Sequence, residues 1–234
     1  MVQTSKNAKV PIVVLIGGGS KLPAIINSAQ KRNSKYYISL IVSHKANSPG
    51  IKYATSHNIP AIYFKLPDYR NRLYNGDNKS RKEYMKVLGW FISQREYIPK
   101  LLVFAGWDLV MDKNFFNFFR SKLGNGYAAI NLHPAILPLK NERTKIKLPD
   151  GTTTPIIKGE QQEVLETVIK NKLTYFGPTI HFMKSSEFDS GLVVEREFIK
   201  VGSSKTIEAL RKKLMPVEDR ILIKSIKKVI DQIK

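Results

Sequence analysis

From Pro11 to Leu132 short apolar runs alternate with longer amphipathic stretches, and this alternation limits the fold more than any other feature of the chain. The apolar runs at 12–16, 38–42, 61–64, 101–104 and 128–132 have the length and β-branched content of strands. Between them the stretches 22–32, 50–57, 79–96 and 114–122 are polar on one side only, as surface helices are. Strand and helix in strict alternation form βαβ units, so a mostly parallel sheet with helices on both faces is expected.

After Leu132 the pattern changes. Pro134, Pro138, Pro149 and Pro155 punctuate a polar stretch, and an amphipathic helix returns only at 161–171, so 139–175 reads as an insertion running over the surface. Two further strands are expected at 178–182 and 192–198. A long basic helix over 206–233 should break near Pro216, which lacks the amide hydrogen an interior position needs. The predicted fold class is α/β: a Rossmann-like, mostly parallel sheet with helices on both faces, extended by C-terminal strands and a long C-terminal helix. We expect one domain over 1–234, with a phosphate-binding half at 10–133 and a second half at 134–234 completing the site.

Composition excludes several classes. The chain has no cysteine, which rules out disulfides and thiolate-held metals. No apolar run approaches the ~20 residues of a membrane helix, and the N-terminus lacks the apolar region of a signal peptide, so a soluble cytoplasmic protein is expected. The net charge of +20 would draw polyanions and phosphorylated small molecules alike. Its lysines are dispersed and gather on no known nucleic-acid module, so a solvated basic surface is the plainer reading.

Three groups of residues could carry chemistry. Gly17-Gly18-Gly19-Ser20-Lys21 stands between the first strand and the first helix, where backbone amides and a helix N-terminus can receive a phosphate. It fits neither the dinucleotide fingerprint nor the P-loop spacing, and a merely tight turn would use the same glycines. Asn131 and His133 lie two residues apart at the end of the fifth strand, so both side chains face one way and can converge on one substrate atom. His181 and the turn Asp189-Ser190-Gly191 add a second imidazole and a carboxylate able to tune a histidine and relay a proton. The spacing of His133, His181 and Asp189 matches no metal motif. His44 and His57 read as surface residues, and no Gly-x-Ser-x-Gly nucleophile elbow is present.

Taken in order, the glycine turn, Phe104-Ala105-Gly106-Trp107, Asn131-Leu132-His133-Pro134, and Ile180-His181-Phe182 followed by Asp189-Ser190-Gly191 resemble the phosphoribosylglycinamide formyltransferases over nearly the whole chain. The resemblance implies formyl transfer from 10-formyltetrahydrofolate, as co-substrate, to the amine of glycinamide ribonucleotide, with no metal. It implies Asn131, His133 and Asp189 as the catalytic trio, Gly18, Gly19, Ser20 and Lys21 at the substrate phosphate, and Glu218 at the ribose hydroxyls. Arg81, Trp107, Asp108, Leu109, Val110 and Met111 match the folate-binding positions. Three departures stand out: Lys21 replaces the family's usual asparagine, Met215 replaces a lysine one turn before the ribose-binding acid, and 139–175 is longer and more polar than usual. A relative formylating another amine, and a basic nucleic-acid-binding protein on the same scaffold, are the alternatives. The sequence implies no oligomeric state.

Overall fold

In a computed structural model the described residues are 8–66, 78–140, 142, 145–185, 187, 189–204 and 206–233. Five parallel strands form the centre in the order β3-β2-β1-β4-β5: β1 (Val10–Ile16), β2 (Tyr36–Ser43), β3 (Ala61–Tyr63), β4 (Leu101–Ala105) and β5 (Ala129–His133). Helices α1 (Leu22–Ala29), α2 (Pro49–Ser56), α3 (Asn78–Ile92) and α4 (Lys113–Phe116) fall between the strands. β9 (Thr179–Phe182) joins antiparallel to β5, and β10 (Val193–Arg196) antiparallel to β9, giving seven strands.

The two faces of β1 and β4 explain the layers. Ile12, Val14 and Ile16 of β1, with Leu101 and Val103 of β4, pack into one core with α1 and the C-terminal helix. Val13, Leu15, Leu102 and Phe104 point the other way, into a second core with α3 and α4. Successive strand residues face opposite sides, so a strand apolar at every position needs cover on both, and the helices supply it.

The expected insertion is structured. A small antiparallel hairpin pairs β6 (Lys145–Lys147) with β7 (Thr153–Pro155), α5 (Gln161–Lys170) follows, and β8 (Tyr175–Phe176) pairs with β11 (Ile199–Lys200). The strand expected at 192–198 is β10 alone, and β11 follows it as a separate short strand that pairs outside the main sheet.

Two helix expectations are corrected. The C-terminal helix α6 (Ile207–Ile233) runs through Pro216 without a break. Pro216 and Lys212, whose carbonyl loses its partner, are exposed, whereas Leu214, Val217, Ile221 and Leu222 form an unbroken buried stripe. The lost hydrogen bond thus falls on the solvent side, and packing of the other side holds the helix together. The helix expected at 114–122 ends at Phe116. Asp112 caps its start by accepting from the Asn114 amide at 2.8 Å, but Phe116 stacks on Tyr127 at 4.5 Å and Arg120 pairs with Tyr127 in an isolated bridge. Aromatic packing across this turn overrides local helix propensity. Among the described residues no helix is long and apolar enough to cross a membrane.

Candidate active site

The chain runs outward from β1 to β3 on one side and from β4 to β5 on the other, so the order reverses between β1 and β4. Ligands of open α/β sheets bind beyond the strand ends at such a point. A cavity of about 620 Å³ opens there, walled by Ser20 and Lys21 at the end of the glycine turn after β1, whose Gly18 and Gly19 lie outside the lining, by Gly106 to Asp108 after β4, by Asn131 to Pro134 of β5, and by the 158–163 segment of the insertion.

Close approach builds this crevice. A Cβ on Gly17 would stand 2.6 Å from the Gly106 carbonyl oxygen, so only glycine lets the two loops meet. The hydroxyls of Ser43 and Ser48 donate to the Gly17 carbonyl at 2.9 and 2.7 Å, and the Gly50 amide donates to the Gly18 carbonyl at 2.9 Å. Among the described residues, the amides of Gly18, Gly19 and Ser20 donate to no protein group.

His133 and Asp189 are in direct contact, whereas the residue pattern alone sets Asp189 beside His181. His133 Nδ1 lies 2.9 Å from Asp189 Oδ1, with the side chains 2% and 9% exposed. His133 Nε2 lies 3.0 Å from the Ile157 carbonyl oxygen. Both ring nitrogens thus face acceptors, an arrangement satisfied at both positions only by the imidazolium. Burial pushes the Asp189 carboxyl up, but its hydrogen bond to His133 and the charge of that ring more than offset this and hold it below the usual carboxylate range. Asp189 has a positive φ of 46°. Two residues on, Gly191 has a φ of 132° and leaves no room for a Cβ against the Phe182 carbonyl, which fixes the turn carrying the carboxylate.

His181 has a part that spacing could not reveal. The β5–β9 register sets it opposite Asn131. Its Nδ1 donates to the Phe182 carbonyl at 3.0 Å, and burial pushes the imidazole down to about 4, so the ring is neutral with Nε2 as acceptor. The Asn131 amide nitrogen donates to that Nε2 at 3.3 Å, which fixes which end of the amide is which. No group of three or more His, Asp or Glu residues able to hold a metal occurs among the described residues.

Lys21 and Glu218 both line the cavity, but they face each other. The Lys21 ammonium, expected at a phosphate, instead lies 2.6 Å from Glu218 Oε2 and 3.2 Å from Asp219 Oδ1. Glu218 is 1% exposed, and a carboxylate so buried requires a countercharge. Gln161 adds its amide at 3.2 Å while accepting from Arg211 at 3.2 Å, so α5 and α6 are joined through this network.

Of the residues expected at the folate, Trp107 and Asp108 line the cavity, whereas Arg81, Leu109, Val110 and Met111 do not. Arg81 donates to the Val110 carbonyl at 3.1 Å and Met111 is 1% exposed in the second core, so they brace this segment. The expectation that His44 lies on the surface is wrong. Its side chain is 8% exposed, with Nε2 2.5 Å from Asp108 Oδ1 and the ring edge-on to Trp107 at 4.5 Å. Burial lowers its pKa, partly offset by Asp108.

Residues 10–226 match the formyl transferase family. The chain belongs to that family. Curated proteins similar to it include the trifunctional purine biosynthetic protein adenosine-3 of Gallus gallus, 27% identical over 91% of this chain but 18% of that protein. The chloroplastic phosphoribosylglycinamide formyltransferase of Arabidopsis thaliana is 24% identical over 90% of this chain and 62% of its own length. The Dictyostelium discoideum phosphoribosylglycinamide formyltransferase is 25% identical over 92% and 95%. The chain thus spans less than two thirds of the first two relatives and nearly all of the third. Among solved structures, glycinamide ribonucleotide transformylase 1 from Symbiobacterium toebii superposes with a TM-score of 0.75 at 20% identity, covering 96% of this chain and 89% of that one. At that identity the likeness speaks for the shared α/β fold.

Proposed function

We propose that this formyl transferase moves the formyl group of 10-formyltetrahydrofolate to the amine of glycinamide ribonucleotide, as the names of its relatives suggest, and that it works in the cytoplasm. The observation that carries the reading is the convergence of Asn131, His133 and Asp189 on one cavity, with both ring nitrogens of His133 facing oxygen. The volume suits a drug-sized ligand, and Trp107, Leu132 and Pro134 give its wall the apolar character a flat heterocycle requires.

When bound, the folate supplies the formyl group on N10. The acceptor nitrogen attacks the formyl carbon, a C–N bond forms, and negative charge develops on the formyl oxygen. His133 donates from Nε2 to that oxygen, which takes the place of the Ile157 carbonyl, and Asn131 donates its second amide hydrogen. Such a preorganised pair of donors often gives the largest catalytic contribution. Asp189 keeps His133 doubly protonated and takes up the proton released by the attacking amine. As the C–N10 bond breaks, the proton taken up by Asp189 passes to N10, so the deformylated folate and the formylated acceptor leave with Asp189 again ionised. His181 keeps the Asn131 amide aimed. The amides of Gly18 to Ser20 receive the acceptor phosphate and Glu218 its ribose hydroxyls. Trp107 and Asp108 border the folate, while Arg81, Leu109, Val110 and Met111 support that border from behind.

The test is an assay of formyl transfer to glycinamide ribonucleotide beside a panel of other amines. Turnover should be confined to the phosphorylated acceptor. His133→Ala, Asn131→Ala and Asp189→Asn should each lower it by ~10²-fold or more while leaving the fold intact. Preference for another amine, or near-normal turnover in His133→Ala, would refute the assignment.

A further inference from the structure

This inference rests on the reading above, in which the acceptor carries a phosphate received at the glycine turn. A phosphate dianion entering this cavity meets a wall already rich in carboxylates: Asp108, Glu160, Glu163, Asp189 and Glu218. Backbone amides carry only partial charge, so a side-chain cation beside the turn would strengthen its hold on a dianion. Of the lysines in the lining, Lys21 belongs to the turn itself and Lys45 lies against Gly17.

Lys21 is committed. Moving its ammonium to a phosphate would strand Glu218, which is 1% exposed, without its countercharge. Lys45 differs in each respect that matters. Its side chain is half exposed and lies against the turn, with Cε 3.3 Å from where a Cβ on Gly17 would stand. Its backbone is fixed to the turn, because its amide donates at 3.1 Å to the same Ser43 hydroxyl that holds the Gly17 carbonyl. Its ammonium rests 2.6 Å from Asp108 Oδ2, and the other oxygen of Asp108 is held by His44 at 2.5 Å. Asp108 therefore keeps a partner when Lys45 leaves.

We propose that Lys45 is the residue that reads the acceptor phosphate, exchanging Asp108 for the phosphate oxygens at the glycine turn. Asp108 and His44 hold the ammonium beside the turn until the anion arrives. Selection of a phosphorylated amine over the unphosphorylated one resides in Lys45, and Lys21 serves Glu218.

Lys45→Met and Lys45→Arg separate this from a structural role. In Lys45→Met the KM for glycinamide ribonucleotide should rise about tenfold or more while that for 10-formyltetrahydrofolate stays within twofold, and Lys45→Arg should recover most of the loss. Inorganic phosphate, titrated at constant ionic strength and followed by thermal denaturation, should raise the Tm of the unaltered protein and fail to do so in Lys45→Met. This second measurement needs no turnover. If the protein formylates a different amine, Lys45-dependent protection by phosphate still supports the inference while the proposed acceptor fails. Equal rises in both KM values, or phosphate protection unchanged in Lys45→Met, would overturn it.

Discussion

Replacing Lys21 with methionine tests whether the Lys21–Glu218 pair is the internal strut the geometry describes. The side chains are 6% and 2% exposed, and methionine keeps most of the lysine's apolar stem while removing its charge. Removing one member of a buried pair costs about 3–5 kcal/mol, because the remaining ion stays buried without compensation. Gln161 still donates to Glu218 at 3.2 Å, which favours the lower end. For a chain of 234 residues each kcal/mol moves the Tm by about 2–4 °C, so a fall of roughly 6–20 °C is expected. Scanning calorimetry or urea unfolding measures it. Adding Glu218→Leu to Lys21→Met should return much of the loss, since apolar replacement of both partners is often close to neutral. The exposed pair Lys35–Asp231, half exposed at both side chains, is the control, and Lys35→Met should cost under about 1 kcal/mol. The Lys21→Met loss should also persist in 1 M salt, which screens exposed charges far more than buried ones. A single variant within about 1 kcal/mol of the parent, or a double variant no better than the single, would show that the pair is not a strut.

Two further substitutions test other parts of the site. His181 is held down to about 4 by burial, against about 6.5 in an unfolded chain, so between those values the unfolded state binds the extra proton. Stability from this group is complete above about 6.5 and is lost as pH falls toward 4, by roughly 3 kcal/mol in all. His181→Gln should flatten the stability profile in that window, and an unchanged slope in urea unfolding from pH 7 to 4.5 would remove His181 as its source. Gly17→Ala would set a Cβ 2.6 Å from the Gly106 carbonyl oxygen, so the two crevice loops must part. A loss of about 1–3 kcal/mol and a raised KM for the acceptor are expected, and parental values for both would show that the loops are free to yield.

The sequence by itself determined the parts whose cause is local. Uninterrupted apolar runs such as 12–16 require a sheet covered on both faces, glycines at 17–19 permit a close turn, and the two-residue spacing of Asn131 and His133 puts both on one side of a strand. Tertiary structure decided whatever depends on partners distant in sequence. Nothing near Lys21 announces that Glu218, at the other end of the chain, will take its ammonium; only the packing of α1 against α6 brings them together. The same holds for His181, whose role follows from a strand register, and for His44, which looked solvated until the β1, β2 and β4 ends enclosed it with Trp107 and Asp108. Pro216 shows the converse: a strong local signal was overridden because its missing hydrogen bond fell on the solvent side of a helix held by its buried face. Local chemistry sets which elements form, whereas the energy of a buried charge, a shared face or a cross-strand pair depends on groups that only the folded chain assembles.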